Sequence, residues 1–449
     1  MSGVLVKNGL IVLPEGLFKR DIKVKDGVIV EIGIGLSNTG VDHIINASGK
    51  LVFPGIIDEH VHMREPGLEY KEGFEHGSRA AIKGGVTTVI DQPNTIPPVE
   101  DPDKVLAKAK LLENKAYTDF ALLGVLHDEN IEHFEEMIHS GVVGFKVFMG
   151  PTTGGISPPS DISLLRILER SRDMDVTVMF HAEDHSLVAY FMERIRGSGR
   201  VDPFVHVESR PVIAEVYAIS KILTLASNVN ARVHIAHVSS KEGLEAIKVA
   251  MSYGVRVTSE TCPHYLLFER EDYVKYGGLI KTNPPIRGGV HREALLNALR
   301  EGTISAIGSD HAPHTPEEKL RDMWSSLPGI PGVQTVFPLL LDMALKKLIP
   351  LTAIPRLMAE NPARCFKLWP CKGRIDIGFD GDLVIVDPNK ELEISTEWLE
   401  YRHKISPYVG WRLKGYVETV VLRGNVVVEN GKLTGIRAGK WVTPCNRFV

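Results

Sequence analysis

The residues whose types and spacing best suit chemistry lie in one short stretch near residue 60. Four side chains that can bind metals or anions stand at every second position there: Asp58, His60, His62 and Arg64. If the stretch is a strand, this alternation puts all four on one face. Two imidazoles at a strand end can bind one metal ion, and an arginine beside them can bind an anion. The pattern also suits a surface strand with incidental histidines, so a metal site requires further ligands elsewhere.

Further candidate ligands end later apolar runs of the chain: Lys146, His181, His237 and Asp310. Taken singly, each has an ordinary alternative, since a buried histidine can simply be hydrogen-bonded and an aspartate can cap a helix. An ammonium cannot bind a metal. Lys146 would first have to lose its proton and react with CO2 to form a carbamate, and burial favours this by lowering the pKa of the amine. The joint placement of these residues predicts a two-metal site.

Residues 54–365 would position these side chains, because strand-like runs alternate with helical segments there. The predicted strands are Ile56–Val61, Val86–Asp91, Asp119–Val125, Val142–Phe148, Val176–His181, Arg232–His237, Val255–Glu260 and Ile304–Asp310. The predicted helices are Phe74–Lys83, Pro102–Glu113, Ser163–Arg172, Pro211–Ala226, Lys241–Met251 and Arg292–Arg300. Eight such units predict an α/β fold of the (β/α)8 TIM-barrel type, whose active sites lie at the C-terminal strand ends. An open doubly wound sheet is the alternative, but no glycine-rich phosphate loop favours it.

The sequence pattern at the two ends of the chain differs from that of the middle. Residues 1–53 and 366–449 hold short β-prone runs separated by turn signals such as Asn8-Gly9, Asp26-Gly27 and Asn430-Gly431. We expect both ends to form one small β-sandwich domain, interrupted by the barrel domain of residues 54–365.

Composition sets limits on the class of protein. The 449 residues are 43% hydrophobic and 24% charged, with a net charge of −4, which is typical of a globular protein and argues against nucleic acid as a partner. No apolar run of about 18 residues predicts a membrane span, and the N-terminal residues lack the pattern of a signal peptide. The four cysteines form no CxxC pair, so disulfides are not implied, and a location in the reducing cytoplasm is expected.

Taken together, the motifs resemble those of the amidohydrolase superfamily, in the cyclic amidohydrolase branch that holds dihydroorotases, allantoinases and hydantoinases. The likeness covers essentially the whole chain. The motifs are Asp58-x-His60-x-His62, Gly144-Phe-Lys146, His181-Ala-Glu183, His237-Val-Ser-Ser, Cys262-Pro-His-Tyr265, Asn283-Pro-Pro-Ile-Arg287, Ser309-Asp-His-Ala-Pro-His314 and the glycine-rich stretch 373–383.

This resemblance implies a role for each candidate ligand. One metal would be bound by His60, His62 and Asp310, a second by His181 and His237, and carboxylated Lys146 would bridge the two. Zinc is the expected metal, although the ligand types leave manganese, iron and cobalt open. The metals would activate a water for attack on a cyclic amide or ureide, and Asp310 would carry its proton to the leaving nitrogen. Family relatives also imply a homo-oligomer, a dimer or tetramer.

The predicted substrate is dihydroorotate, whose ring opens reversibly to N-carbamoyl-aspartate in pyrimidine biosynthesis. Family dihydroorotases hold the substrate carboxylate through an arginine, an asparagine and a histidine that correspond to Arg64, Asn94 and His314. Asn283 would add a contact to the pyrimidine. We also expect Asp58 either to orient a ligand imidazole or to be packed at the start of the strand. A complex with aspartate transcarbamoylase occurs among dihydroorotases, but no residue here argues for it.

Other features favour different substrates. Cys262-Pro-His-Tyr265 and the stretch Tyr401–Tyr408 resemble allantoinases and hydantoinases, so an allantoinase or L-hydantoinase is the alternative. Dihydropyrimidinases and D-hydantoinases usually carry a tyrosine where this chain has Pro151-Thr-Thr-Gly-Gly. A non-catalytic scaffold relative is a remote alternative, because every ligand position is filled. The loops Met149–Ser163 and Thr315–Gly332 are expected to line the pocket.

Overall fold

The computed structural model describes residues 3–150, 152 and 155–446. The strands of the terminal segments and of the barrel are, in chain order, Gly3–Leu13 (β1), Gly16–Lys25 (β2), Val28–Gly33 (β3), His43–Asn46 (β4), Leu51–Pro54 (β5), Ile56–Val61 (β6), Val86–Asp91 (β7), Asp119–Val125 (β8), Gly144–Phe148 (β9), Val178–His181 (β10), Val233–Ile235 (β11), Val257–Thr261 (β12), Ala306–Ile307 (β13), Leu383–Glu393 (β14), Arg412–Leu422 (β15), Asn425–Glu429 (β16) and Lys432–Leu433 (β17).

Helices fill most of the connections between the barrel strands. Several begin at a residue whose side chain accepts a backbone N–H of the first turn, which satisfies a donor that the helix itself leaves open: Asp101, Ser160, Asp184 and Ser240. The α-helices are Phe74–Lys83 (α1), Pro102–Glu113 (α2), Phe134–His139 (α3), Asp161–Asp173 (α4), His185–Gly197 (α5), Val205–Ser209 (α6), Val212–Val229 (α7), Lys241–Ser252 (α8), Pro263–Leu267 (α9), Tyr273–Tyr276 (α10), Gly289–Glu301 (α11), Pro316–Lys319 (α12), Val336–Leu345 (α13), Ala353–Pro355 (α14) and Asn361–Cys365 (α15).

Strands β6 to β13 form the barrel. They pair side by side in chain order, every pair is parallel, and a parallel bridge between Val61 and His311 joins the last strand to the first. The predicted (β/α)8 fold is therefore confirmed. The eighth strand is shorter than the prediction of Ile304–Asp310, because the chain turns out of the sheet after Ile307. The backbone N–H of Ser309 donates to Asp58 Oδ1 at 2.9 Å.

The terminal segments meet in a second, nine-stranded sheet. Its order is β17-β16-β15-β14-β5-β1-β2-β3, with β4 beside β1, so both ends of the chain contribute. The predicted turn at Asn8-Gly9 is wrong: Asn8 lies in a bulge of the continuous strand β1, with φ 63°, and its N–H donates to Asp21 Oδ1 at 2.8 Å. The domain boundaries after residues 53 and 365 stay a prediction.

A disulfide closes a loop within the C-terminal segment. Cys371 and Cys445 form a disulfide, with their Cα atoms 5.8 Å apart. The sequence did not imply this disulfide. The two cysteines are 74 residues apart in sequence, so no local spacing pattern marks the pair, and only the fold brings them together.

A buried lysine joins the barrel to the terminal sheet. Lys372 Nζ lies 2.7 Å from Asp119 on β8, 2.6 Å from Asp382 and 3.1 Å from Asp380. Burial alone would lower the pKa of Lys372, but the three carboxylates raise it. The ammonium group of Lys372 therefore already occupies the space between the three carboxylates.

One stretch, Val205–Val229, is long and apolar enough in composition to span a membrane. In this fold the stretch comprises α6 and α7, divided at Arg210 and Pro211. Helix α7 packs against α4 and α8 on the outside of the barrel.

Candidate metal centre and active site

A cavity of about 390 Å³ opens at the C-terminal ends of the barrel strands, where this fold places active sites. It is lined by all six predicted metal ligands: His60, His62, Lys146, His181, His237 and Asp310. The strand ends bring these residues together from across some 250 positions of the chain, as the roles predicted for them require. Their roles as ligands stay predictions.

His60, His62 and Asp310 form the first part of the centre. Asp310 Oδ1 lies 3.5 Å from His60 Nε2 and 3.3 Å from His62 Nε2. One donor atom from each residue lies within 4.8 Å of the other two, and all three side chains are largely buried. Two imidazoles and a carboxylate at this separation can surround one divalent cation.

His181 and His237 form the second part. His181 Nδ1 and His237 Nε2 are 2.9 Å apart, and the ring centroids are separated by 4.8 Å. The ring of His237 also lies 5.3 Å from that of His60, so the two parts are adjacent. His237 has a left-handed backbone with φ 38°, an uncommon conformation for a residue other than glycine, and it turns the ring toward the cavity.

Lys146 lies between the two parts and is buried. Its Nζ is 3.3 Å from His60 Nε2, and among the described residues no carboxylate forms an ion pair with it. Burial lowers the pKa of Lys146 to about 8. A lysine in this setting has an accessible neutral amine, which is the form that reacts with CO2.

The protonation of the cluster also fits a metal centre. Burial lowers the pKa of His62 to about 3, and burial likewise lowers the pKa values of His181 and His237. Burial would raise the pKa of Asp310, but the neighbouring imidazoles, His60 foremost, hold it well below its usual range. The neutral imidazoles of His62, His181 and His237 and the ionised carboxylate of Asp310 are the donor forms that zinc and related divalent cations bind.

Glu260 supports both parts of the centre, a role that the sequence did not reveal. Its Oε1 accepts a hydrogen bond from His60 Nδ1, and it also accepts the backbone N–H of His237 at 3.2 Å. Because the hydrogen bond to one ring nitrogen sets which nitrogen is free to bind a metal, this carboxylate presents His60 Nε2 to the centre.

A second support was also missed. Glu183 Oε2 lies 3.3 Å from His181 Nε2 and pairs with Arg210, which itself lines the cavity. Burial would raise the pKa of Glu183, but Arg210 in particular lowers it to about 2. The carboxylate is therefore ionised and can orient His181. The His181-Ala-Glu183 motif contained this signal, whereas no motif marked Arg210.

The predicted common face of the first strand is only partly correct. Strand β6 ends at Val61, and Arg64 has a left-handed backbone with φ 63°, so alternation does not extend to it. Within the described part of the chain, Asp58 makes no hydrogen bond to a ligand imidazole: its Oδ1 accepts the backbone N–H groups of Ser309 at 2.9 Å and His60 at 3.3 Å. It ties β6 to the loop that carries Asp310.

Three of the four predicted substrate contacts line the cavity: Arg64, Asn94 and Asn283. Asn94 Oδ1 lies 2.8 Å from His62 Nδ1, and its Nδ2 donates to Thr152 at 3.2 Å. Asn94 therefore orients a predicted metal ligand. Asn283 has a buried amide oxygen without a hydrogen bond among the described residues, which leaves an acceptor at the cavity wall.

His314, the fourth predicted contact, does not line the cavity among the described residues. It lies behind Arg64, with 3.4 Å between His314 Nε2 and Arg64 Nη2. Its Nε2 is 3.0 Å from the carbonyl oxygen of Pro328, and its Nδ1 is 3.0 Å from Lys71 Nζ. The histidine thus packs the loop after β13 against the arginine.

Both loops predicted to line the pocket reach it. Thr152 belongs to the first loop, and Leu327, Pro328 and Gly329 belong to the second. The position where relatives carry a tyrosine falls largely outside the described residues, which omit Pro151, Thr153 and Gly154.

Comparison with known proteins agrees with this site. The sequence model of the Amidohydrolase family matches residues 51–427. The chain is 37% identical to an allantoinase of Rubrobacter xylanophilus over 444 residues, which covers 98% of this chain and 97% of the relative. It is 36% identical to an allantoinase of Salmonella newport, covering 99% and 98%.

Solved structures of hydantoinases are also similar to this chain. The L-hydantoinase (dihydropyrimidinase) of Arthrobacter aurescens superimposes with a TM-score of 0.96 at 33% identity, over 99% of this chain and all of that one. A D-hydantoinase superimposes with a TM-score of 0.91 at 32% identity, over 98% of both chains. A cavity lined by histidines, a lysine and an aspartate at the strand ends of a parallel barrel accompanies these similarities. The chain belongs to the amidohydrolase family, in the branch that hydrolyses cyclic amides.

Proposed function

We propose that this protein opens the five-membered ring of a hydantoin, with allantoin, a hydantoin that bears a ureido group, as its substrate. The similarity to allantoinases over essentially the full length of both chains carries the proposal. Hydrolysis would break a ring amide bond and leave an N-carbamoyl acid.

Two divalent cations are part of the proposal. His60, His62 and Asp310 would hold one, His181 and His237 would hold the other, and carboxylated Lys146 would bridge them. Bound there, the cations supply Lewis-acid polarisation of the ring carbonyl and a more acidic water. Zinc remains the expected metal.

The side chains of the cavity supply the remaining chemistry. Asp310 is ionised and can accept a proton from the attacking water and return it to the leaving ring nitrogen. The Arg64 guanidinium and the Asn283 amide line the cavity and can bind the carbonyl oxygens of a ureide. The cavity volume of about 390 Å³ suits a small ring with a short substituent.

Two contacts favour this substrate over dihydroorotate. The predicted carboxylate site needs Asn94 and His314 beside Arg64, but Asn94 bonds His62 and His314 lies behind the arginine. The relatives reported above are allantoinases and hydantoinases. We therefore favour allantoin over dihydroorotate as the substrate.

A second candidate is an L-hydantoinase that acts on hydantoins with an apolar substituent. The TM-score of 0.96 supports it, and so do Phe148 and Leu327, which give the cavity an apolar wall. The two candidates share the ring and differ in the substituent at carbon 5. A homo-oligomer and a cytoplasmic location remain predictions.

A parallel assay would test the proposal. Purified protein reconstituted with zinc or manganese is incubated with allantoin, L- and D-5-benzylhydantoin, dihydrouracil and dihydroorotate. We expect allantoin to give the highest kcat/KM. Preferential turnover of dihydroorotate would refute the hydantoin assignment, and turnover of 5-benzylhydantoin above allantoin would select the second candidate.

A further inference from the structure

A second cavity, of about 400 Å³, opens at the other end of the barrel, where the strands begin. Three arginines line it, Arg232, Arg256 and Arg364, and no carboxylate does so among the described residues. The cavity wall also contains Cys365, at the end of α15. Arg232 and Arg256 both pair with Asp175, and Arg364 pairs with Glu360. Three guanidinium groups against two carboxylates leave one net positive charge beside the cavity.

The thiol of Cys365 lies beside the imidazole of His234, which in turn lies beside the carboxylate of Glu260. Its Sγ lies 3.7 Å from His234 Nδ1, and His234 Nε2 lies 3.7 Å from Glu260 Oε2. The hydroxyls of Thr258 and Thr177 lie 3.5 Å and 3.9 Å from the sulfur. A thiol beside an imidazole that is itself backed by a carboxylate is the arrangement that favours a thiolate.

The direction of the pKa shift of the Cys365 thiol agrees with this geometry. Burial alone would raise the pKa of the Cys365 thiol, but His234 and the neighbouring hydroxyls lower it. Cys262, the other free cysteine among the described residues, offers a contrast. Cys262 is fully buried, and burial together with Glu260 raises the pKa of its thiol, whereas Cys365 is 7% exposed.

We propose that Cys365 is a reactive thiol that undergoes thiol–disulfide exchange with small anionic disulfides entering through the arginine-lined cavity. The Cys365 sulfur attacks one sulfur of the incoming disulfide, the old S–S bond breaks, and the second half leaves as a thiolate. The thiol proton remains on His234 or passes to solvent. Arg232, Arg256 and Arg364 attract the anionic groups of the reagent.

The test compares an anionic and a neutral disulfide on the native protein. Dithiobis(nitrobenzoate) carries two carboxylates, whereas dithiodipyridine carries none, and both release a coloured thiol. Peptide mapping without reduction then identifies the modified cysteine. We expect Cys365 to react at least about tenfold faster than Cys262, and the mixed disulfide to be absent from a Cys365→Ser variant.

The arginines are tested separately. Arg256→Gln should lower the rate with the anionic reagent several-fold and leave the neutral reagent nearly unaffected, because only the first is attracted by charge. Arg166→Gln is the matched control, since Arg166 pairs with Glu132 on the surface and does not line the cavity.

Three results would overturn the proposal. In the first, Cys365 stays unmodified in the native protein and reacts only after unfolding. In the second, Cys262 reacts first. In the third, the ratio of the reaction rate with the anionic disulfide to that with the neutral disulfide is the same in Arg256→Gln and Arg166→Gln. That result would refute the preference for anionic disulfides.

Discussion

Replacement of Glu260 by glutamine tests whether one carboxylate supports both parts of the metal centre. Glu260→Gln keeps the size of the side chain but removes the charge. Its amide oxygen can still accept one N–H, but the charge-assisted bond from His60 Nδ1 becomes a neutral one, and the amide NH2 faces groups that previously met a carboxylate.

The size of the effect follows from these contacts. A hydrogen bond to a charged group contributes about 1.5–3 kcal/mol, and each 1.4 kcal/mol is about tenfold in an equilibrium constant. We therefore expect Glu260→Gln to weaken metal binding about 10- to 100-fold, the range observed when such supporting carboxylates are removed. The kcat/KM for allantoin should fall in parallel at limiting metal and recover at high metal.

Competition with a chromogenic chelator measures the metal affinity, and elemental analysis gives the metal content per chain. Glu72→Gln is a matched control, because Glu72 is equally buried but bonds the backbone of Arg402 and contacts none of the predicted ligands. Wild-type affinity and kcat/KM in Glu260→Gln would refute the reasoning. An equal loss in Glu72→Gln would assign the effect to general destabilisation.

Three further changes have defined outcomes. Lys146→Ala should remove the bridging group, so the metal content falls below two per chain and activity is lost. Added short-chain carboxylates should restore part of the activity. Full metal content in the variant would contradict the bridge. Arg64→Met should lower kcat/KM for allantoin at least about tenfold by removing a charged donor from the cavity, and an unchanged value would exclude Arg64 from substrate binding. Cys371→Ser should lower the free energy of unfolding by about 4 kcal/mol, since the disulfide with Cys445 closes a long loop, as urea denaturation would measure. Four titratable thiols in the unreduced wild-type protein would contradict the disulfide.

The barrel and the predicted ligands could be foreseen because their signals are local. Alternating apolar runs and helical segments predict the topology, and each of His60, His181 and His237 stands at or near the end of such a run. In this fold the ends of parallel strands meet at one face. The convergence of residues far apart in sequence therefore follows from the fold class alone.

The supporting contacts could not be foreseen, because they depend on side-chain geometry between distant residues. Glu260 and His60 are 200 residues apart, and nothing near either position marks the pair. The roles of Asn94 and His314 as substrate contacts stay predictions. Their motif positions are as expected, and the structure adds hydrogen bonds to His62 and to the loop after β13 that no motif indicates.

The predicted reaction class is supported, but dihydroorotate as the substrate is not, because the relatives are allantoinases and hydantoinases. Arg64 has the residue type of a carboxylate site, but a substrate site is the sum of all groups that face the ligand. Residue identity shows which contacts are chemically available, whereas three-dimensional placement shows which of them remain for a ligand.

The composite sheet has a consequence for how the chain is made. Strand β5 pairs through only two residues with β1, and its other edge pairs with β14 over four residues. During synthesis, β14 emerges only after the whole barrel has been translated, so the nascent N-terminal strands present an open sheet edge throughout that time. Open edges are templates for association with other chains. We therefore expect fragments that end before residue 383 to aggregate, and the completed C-terminal strands to protect the N-terminal ones.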